Sequence, residues 1–414
     1  MPYLDANATQ PLRPAARDAV LAAFAITGNP SSVHGAGRGA RRILEDARET
    51  IAGCFGGRPG DLVFTSGGTE ADALAIHALS AGRRLLASAI EHDAIRFAAG
   101  SAETVPVGRD GVVDLEALEA RLGDGVASLV CLMLANNETG VIQPVEQAAS
   151  ICRRHGAVLH VDAVQAAGRM SVRLDRLGAH SLAISSHKLG GPAGMGALLL
   201  APDAPFAAPL IGGGGQERGR RGGTQAVALV AGFAAAAEAS QADDLAELGT
   251  LRDAAERAAV ACGALVCGDP ARRLPNTTCL ALPGAAAGVQ VIALDLEGVA
   301  VSAGSACSSG KVQASHVLRA MGLGALAGEA IRLSLPWNVT RADIDGFAAA
   351  YQRVAARLCP ELASRDPGLV SRDPGLASRD PGLASRGTGF AGSVILSQGH
   401  DQIAVTPQSA RLSG

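Results

Sequence analysis

Lys188 lies in a setting that suggests covalent chemistry at its amine. It belongs to the polar, Gly-rich sequence SSHKLGGP at residues 185–192, which joins apolar runs at 181–184 and 194–200 and so predicts a turn between two buried strands. Apolar surroundings disfavour an ammonium ion, and a neutral amine can condense with an aldehyde to form a Schiff base. A solvated lysine at a loop tip is the alternative, and this motif taken alone favours it.

Asp162 ends the sequence AVLHVD at residues 157–162, which predicts a buried strand. A carboxylate at the carboxyl end of an α/β strand points into the crevice where ligands bind. A pyridoxal-phosphate site needs such an aspartate against its pyridinium nitrogen. A helix N-cap is the alternative role for Asp162.

A third stretch has the composition of a phosphate-binding turn. Residues 62–65 predict a strand that runs into SGGTE at 66–70 and then into an Ala-rich helix. Small residues let backbone amides approach a phosphate at a helix N-terminus, where the helix dipole favours negative charge. Alone, these residues could equally form a capped turn.

Together the three stretches resemble fold-type I pyridoxal-phosphate enzymes of the class V aminotransferase group and, more closely, cysteine desulfurases of the NifS/IscS type. The matching motifs occur in family order from residue 3 to about Arg332. They are YLDANAT at 3–9, GNPSSVH at 28–34, TSGGTE at 65–70, Glu91-His92, NNETG at 136–140, HVDAVQ at 160–165, SSHK at 185–188, the Gly-rich segment 212–224 and SAGSAC at 302–307.

The resemblance implies a fold-type I α/β fold with two domains. The large, mostly parallel-sheet domain would span residues 16–250, and the smaller α+β C-terminal domain would combine residues 1–15 with 251–360 and carry the cysteine loop. The residues themselves support a parallel sheet, because strand-like runs alternate with helical segments. These runs lie at 62–65, 85–90, 128–134, 158–161 and 182–184.

The tail departs from the family. The sequence SRDPGL begins at Ser364, Ser371 and Ser378, and the proline in each unit excludes a coiled coil. We therefore predict a low-complexity, disordered tail over residues 361–414. Relatives use this region to dock sulfur acceptors, so the sequence leaves the acceptor open.

The resemblance also implies roles for individual residues. The residues expected to bind the cofactor are Gly68, Thr69, His92, Asn137, Asp162, Gln165, Ser185, His187, Lys188 and Thr224. Among them Gly68, Thr69, Ser185 and His187 would hold the phosphate, Gln165 the phenolic oxygen, and Thr224 the phosphate of the partner subunit, which implies a homodimer. His92 would stack on the ring and exchange protons, although a polar residue at a strand end is the alternative.

Two further residues are expected to meet the substrate. Arg332 would pair with the substrate carboxylate, because a guanidinium fork suits a carboxylate, and an ordinary salt bridge is the alternative. Asn137 would contact either the cofactor or the substrate. His160 is the weaker candidate for a functional role, and we expect it to be structural.

Cys307 differs from the other cysteines in its surroundings. Most of the others lie in apolar runs, whereas Cys307 lies in the Gly- and Ser-rich loop 302–311 with Lys311 close by. A thiolate forms more readily in such a wet, mildly electropositive setting. The resemblance makes Cys307 the catalytic thiol that takes the sulfur as a persulfide, and a possible transient iron–sulfur ligand. It implies no resident metal.

The implied reaction is the conversion of L-cysteine to L-alanine, catalysed by Lys188, His92 and Cys307, with the persulfide passed to a sulfur-acceptor or iron–sulfur scaffold protein. A selenocysteine lyase, or another class V lyase or aminotransferase, is the alternative enzyme. A non-catalytic sulfur-carrier subunit is a different class of protein, and the presence of both Lys188 and Asp162 argues against it.

Composition excludes several other functions. The chain has 414 residues, of which 48% are hydrophobic, enough for a large core, and its net charge of −3 attracts neither nucleic acid nor membrane. The Gly/Arg-rich segment 212–224 lacks the repeats and aromatic residues of an RNA-binding tract. No signal peptide or membrane-spanning run is evident, and the 8 cysteines form no C-x-x-C pair. We therefore expect a cytoplasmic protein.

Overall fold

A seven-stranded sheet carries most of the predicted site motifs. The computed structural model describes residues 1–304 and 313–363, with the backbone alone for 362 and 363. The strands of this sheet are β1 (Leu62–Thr65), β2 (Arg84–Ser88), β3 (Glu103–Val105), β4 (Ser128–Met133), β5 (Val158–Asp162), β6 (Ser181–Ser185) and β7 (Gly196–Leu200). The helices around it are α1 (Pro14–Phe24), α2 (Gly35–Cys54), α3 (Gly68–Leu79), α4 (Asp93–Ala99), α5 (Leu115–Leu122), α6 (Val145–Arg154), α7 (Leu174–Leu177) and α8 (Val227–Ser240).

The strand order is β1-β7-β6-β5-β4-β2-β3. The pairs from β3 through β6 are parallel, whereas β7 is antiparallel to both β6 and β1. Because only β7 runs in the opposite direction, the carboxyl ends of β1, β2, β4, β5 and β6 meet at one edge of the sheet. The observed sheet therefore agrees with the predicted mostly parallel α/β architecture.

The central strands are apolar because helices cover both of their faces. All residues of β4, β5 and β6 are buried, as expected for parallel strands between two helical layers. Side chains alternate between the faces, so that Leu159 and Val161 of β5 belong to one core. Val158 belongs to the other core, which the buried face of α3 completes. Asp162 of the same strand therefore points toward the α3 face.

A second, four-stranded antiparallel sheet has the order β10-β11-β9-β8. Its strands are β8 (Leu265–Val266), β9 (Thr277–Ala281), β10 (Ser302–Ala303) and β11 (Ala330–Ser334), and the helices of this region are α9 (Leu245–Ala261), α10 (Ala287–Leu296), α11 (His316–Ala320), α12 (Arg341–Leu358) and α13 (Pro360–Ala363). Helix α9 contributes Leu248 to the core of this sheet, so it lies across the predicted boundary at residue 250.

The first residues of the chain add an extended segment to this second sheet. The backbone N–H of Leu4 donates to the carbonyl of Ala300 at 2.9 Å, and the N–H of Ala6 donates to the carbonyl of Ser334 at 2.9 Å. Leu4 itself is fully buried in the core of the second sheet. These bonds fix the residues that follow, Asn7 and Ala8, next to the edge of the large sheet.

Two sequence predictions fall on residues that the structure does not describe. Cys307 lies in the gap between residues 304 and 313, and the repeat tail from Ser364 onward lies beyond the last described residue. Within the described ranges, no helix is both long enough and apolar enough to cross a bilayer.

Candidate active site

A cavity of about 710 Å³ opens at the edge where the parallel strands end, within the size range of small-molecule sites. Ten of the predicted site residues line it: Gly68, Thr69, His92, Asn137, Asp162, Gln165, Ser185, His187, Lys188 and Arg332. Thr224 is exposed and does not line the cavity. The fold thus gathers residues that are up to 264 positions apart, from Gly68 to Arg332, around one space.

Lys188 lies at the end of a 3-10 turn that follows β6 directly. Its Nζ donates hydrogen bonds to the carbonyl of Asn7 and, at 3.0 Å, to the carbonyl of Ala8. Burial, together with the nearby cations Arg332 and Arg169, lowers the pKa of Lys188 to about 7. A large fraction of this amine is therefore neutral at neutral pH, as the apolar runs around it predicted.

Asp162 lies at the end of β5 and is buried. Its Oδ1 accepts the backbone N–H of Val164 at 2.8 Å. Burial raises the pKa of Asp162, and the N–H of Val164 and the protonated forms of His92 and Lys188 act in the opposite direction. A cationic N–H group beside this carboxyl would restore its ionised form, because an opposite charge favours a buried carboxylate.

A second carboxyl group lies on the same side of the sheet. Asp72 of α3 is 1% exposed, and its Oδ1 lies 3.1 Å from Nε2 of His160. His160 is fully buried, and its Nδ1 lies 2.8 Å from Oγ of Ser181. Burial raises the pKa of Asp72 well above its usual value and lowers the pKa of His160 to about 3. Both ring nitrogens of His160 are engaged within the core, in keeping with a structural histidine.

His92 precedes α4 and caps it. Its Nδ1 accepts the backbone N–H of Ala94 at 3.1 Å, so the proton of the neutral ring resides on Nε2. Burial lowers the pKa of His92, which keeps the ring neutral at physiological pH. A neutral ring that offers an N–H suits both stacking and proton exchange.

Arg332 of β11 forms an ion pair, as the salt-bridge alternative anticipated. Its Nη2 donates to Oδ1 of Asp5 at 2.6 Å, and its Nη1 donates to the carbonyl of Asn137 at 3.1 Å. Its Nε, however, is buried without a hydrogen-bond partner among the described residues, and so is Oδ1 of Asn137. Because both residues line the cavity, a polar ligand there could satisfy these two atoms.

Comparison with known proteins identifies the family of this chain. The sequence profile of the family "Aminotransferase class-V" matches residues 2–347. The chain is 42% identical over 360 residues to a cysteine desulfurase of Cereibacter sphaeroides, across 83% of this chain and 92% of that protein. It is 36% identical to an IscS-like cysteine desulfurase of Mycobacterium tuberculosis, across 86% and 97% respectively. The chain belongs to the cysteine desulfurases of the class-V aminotransferase family.

A solved structure places the fold in the same family. The NifS-like protein of Rickettsia africae superposes on this chain with a TM-score of 0.79 and 33% identity, over 86% of this chain and 99% of that protein. The predicted fold-type I architecture and the predicted family are thereby confirmed. Class-V aminotransferases, including the cysteine desulfurases, are pyridoxal-phosphate enzymes.

Two glycines let the backbone before α3 approach its neighbours in this cysteine desulfurase. A Cβ at Gly196 of β7 would lie 2.5 Å from the carbonyl carbon of Gly67, so the loop packs directly on the strand. A Cβ at Gly68 would lie 2.6 Å from Cγ2 of Val164. Larger residues at these positions would displace the N-terminus of α3 from the cavity.

Several cavity residues were missed by reasoning from the sequence. They are Asp5, Asn7, Asp72, Glu138 and His316. Asn7 donates to the carbonyl of Asn137 at 3.1 Å and to Oγ1 of Thr277 at 3.0 Å, and these contacts span 130 and 270 positions. The polar motif at residues 3–9 was the available signal, but no local pattern places it in the cavity.

Proposed function

We propose that this protein uses pyridoxal 5'-phosphate to convert L-cysteine to L-alanine and takes the sulfur as a persulfide on Cys307. The observation that carries the proposal is a single cavity that holds a half-buried amine with a lowered pKa, Lys188, and a buried carboxyl group, Asp162. The reaction is inferred from the family. Cys307 distinguishes a desulfurase from a transaminase, because a transaminase needs no such thiol.

The cavity residues fit this cofactor. Lys188 offers an amine for the aldehyde, and Asp162 offers a carboxylate for the protonated ring nitrogen. Gly68 and Thr69 lie at the N-terminus of α3, where a phosphate is favoured, and Oγ of Ser185 is buried with no partner among the described residues. Burial lowers the pKa of His187 to about 4, so this residue would meet the phosphate as a neutral ring.

When bound, pyridoxal phosphate supplies an electron sink conjugated to the α-carbon of the substrate. Lys188 would act as the base for the α-proton, because its lowered pKa leaves much of the amine neutral at neutral pH. Asp162 would hold the ring nitrogen in its protonated form. His92, with its proton on Nε2, would face the ring and exchange protons with the substrate.

Arg332 would bind the substrate carboxylate through its Nε, and Oδ1 of Asn137 would accept a hydrogen bond from an N–H group of the substrate or cofactor; neither atom has a partner among the described residues. Gln165 would meet the phenolic oxygen of the cofactor through its side-chain amide. That amide now donates to the carbonyl of Asn7 at 3.0 Å, so the amide must share or exchange this bond. Thr224 is exposed, as needed if it reaches the phosphate of a partner subunit in a homodimer.

The acceptor of the persulfide would be a sulfur-carrier or iron–sulfur scaffold protein in the cytoplasm, with Cys307 as a transient iron–sulfur ligand. We retain the two domains proposed above, with the cysteine loop in the small domain and the tail from 361 outside both; α9 and α13 each cross one of the proposed limits. Selenocysteine lyase activity is the alternative for the same residues.

Uptake of pyridoxal phosphate by cofactor-free protein should depend on the protonation of Lys188. Only the neutral amine attacks an aldehyde, so the rate should rise with pH, reach half its plateau near pH 7 and level off above it. An ordinary lysine, with a pKa of about 10.4, would place the midpoint more than three units higher. Stopped-flow absorbance across this range measures the midpoint, and a value near that of an ordinary lysine would contradict the burial argument.

Cys307→Ser tests the sulfur chemistry. The variant should bind the cofactor and change its visible spectrum when L-cysteine is added, because these steps need no thiol at position 307. Release of alanine should fall at least about a hundredfold, since serine cannot accept sulfur. Quantifying alanine and locating the persulfide by mass spectrometry measures both steps.

The buried cysteines provide the comparison for this experiment. Burial raises the pKa of Cys131 well above its usual value, so its thiolate does not form at neutral pH. Cys131→Ser should therefore keep the wild-type persulfide. Wild-type turnover by Cys307→Ser, or a persulfide found mainly on another cysteine, would overturn the desulfurase proposal in favour of a different class-V lyase.

A further inference from the structure

A second imidazole, that of His316, lines the cavity together with His92 and Lys188. It begins α11, the short helix that follows the cysteine loop, and its side chain is partly buried. None of the roles assigned above uses it. Its hydrogen bonding nevertheless fixes which ring nitrogen carries the proton.

Nε2 of His316 lies 3.0 Å from the backbone carbonyl oxygen of Glu91. A carbonyl oxygen only accepts hydrogen bonds, so Nε2 must donate and the neutral ring keeps its lone pair on Nδ1. No described residue donates to Nδ1. His92, whose Nδ1 accepts from Ala94, has the opposite arrangement and carries its proton on Nε2. Among the described residues of the cavity wall, His92 therefore offers an N–H and His316 an acceptor nitrogen, and neither of these atoms has a described partner.

We propose that His316 determines specificity for the substrate thiol, with its Nδ1 accepting a hydrogen bond from the S–H group of bound L-cysteine. This inference rests on the proposed function and adds a recognition element for the β-thiol to the carboxylate contact at Arg332. The ligand class is an α-amino acid with a protonated thiol on its β-carbon.

The chemistry of sulfur transfer explains why a hydrogen-bond acceptor is needed beside the S–H group of the substrate. The Cys307 thiolate attacks the substrate sulfur, an S–S bond forms, and the carbon–sulfur bond breaks with its electron pair passing to the three-carbon skeleton. The S–H proton stays on the outer sulfur, which gives a persulfide, and protonation of the carbon gives alanine. A substrate thiolate would repel the attacking thiolate. A neutral acceptor orients the S–H group and keeps its proton in place.

Two conservative variants separate this role from a structural one. In His316→Gln the side-chain amide can replace Nε2 and keep the bond to Glu91, but nothing replaces Nδ1. In His316→Asn the side-chain oxygen can replace the acceptor Nδ1, but the bond to Glu91 is lost. A thiol-recognition role predicts that the glutamine variant is the more impaired enzyme, whereas an anchoring role predicts the reverse.

The experiment uses the holoenzyme and two ligands, L-cysteine and L-alanine, which differ only in the thiol. For His316→Gln we expect kcat/KM for L-cysteine to fall about tenfold, the effect of one lost hydrogen bond, with an unchanged affinity for L-alanine from absorbance titration. His316→Asn should recover most of that loss. His77→Gln, at an exposed position on α3, is the matched control and should match the wild type.

An equal loss of affinity for L-alanine in His316→Gln would overturn the inference. So would a wild-type kcat/KM for L-cysteine in His316→Gln combined with a lowered one in His316→Asn. Those results leave the proposed function intact, because the wild-type enzyme still forms alanine. Failure of wild-type protein to form alanine from L-cysteine would instead overturn the proposed function, and this inference with it.

Discussion

Lys188→Ala is expected to abolish turnover of L-cysteine, lowering kcat/KM by at least about 10⁴-fold, because the residue acts both as the covalent partner of the cofactor and as the base. Lys188→Arg should be equally inactive. A guanidinium stays protonated in proteins and cannot form the covalent bond or remove a proton. The purified wild-type protein should be yellow, and both variants should be colourless or hold the cofactor only loosely.

The composition of the chain makes this prediction easy to measure. Lys188 and Lys311 are its only lysines, while the other 34 of the 36 basic residues are arginines. After borohydride reduction, mass spectrometry should therefore find the reduced cofactor on the peptide that contains Lys188. Lys311→Ala is the control and should keep both the colour and the adduct. A reducible adduct that persists in Lys188→Ala would show that the assigned lysine is wrong.

The large sheet was predictable because its sequence signal is local. The predicted run at residues 158–161 matches β5 to within one residue, since a strand buried on both faces is a short apolar run bounded by turns. The reversal of β7 was not predictable. An apolar strand has the same composition in either direction, and its pairing with β1 and β6 depends on contacts elsewhere in the chain.

Reasoning from the sequence named the cavity residues that lie at strand ends and missed cavity residues that depend on long-range contacts. Asp162 and Lys188 follow apolar runs that place them at the edge of the sheet. Asn7 reaches the cavity only because Leu4 and Ala6 hydrogen-bond to the second sheet, more than 290 residues later. His316 belongs to a five-residue helix and was assigned no role. Its tautomer follows from a backbone carbonyl that no sequence pattern identifies.

Asp162→Asn is expected to lower kcat/KM by about a thousandfold and to weaken cofactor binding, because a neutral amide cannot stabilise a protonated ring nitrogen. The substitution is nearly isosteric. The asparagine side-chain oxygen can still accept the N–H of Val164, as Oδ1 of Asp162 does at 2.8 Å. Any loss would therefore come from the missing charge rather than from a rearranged loop.

The melting temperature of Asp162→Asn distinguishes the loss of the charge from a rearrangement of the loop. Burial raises the pKa of Asp162, so the charged form is disfavoured in the cofactor-free protein, and removing the charge should not lower the melting temperature at neutral pH.

Asp72→Asn is the matched control. Its carboxyl group is buried beside His160, and burial raises its pKa well above the usual value, as burial also raises that of Asp162. Its activity should stay within tenfold of the wild type. If Asp162→Asn stays within the same limit, or if both variants lose activity equally, the electrostatic role of Asp162 is wrong. A thousandfold gap between two buried carboxyl groups on one side of the sheet would locate the ring nitrogen at Asp162.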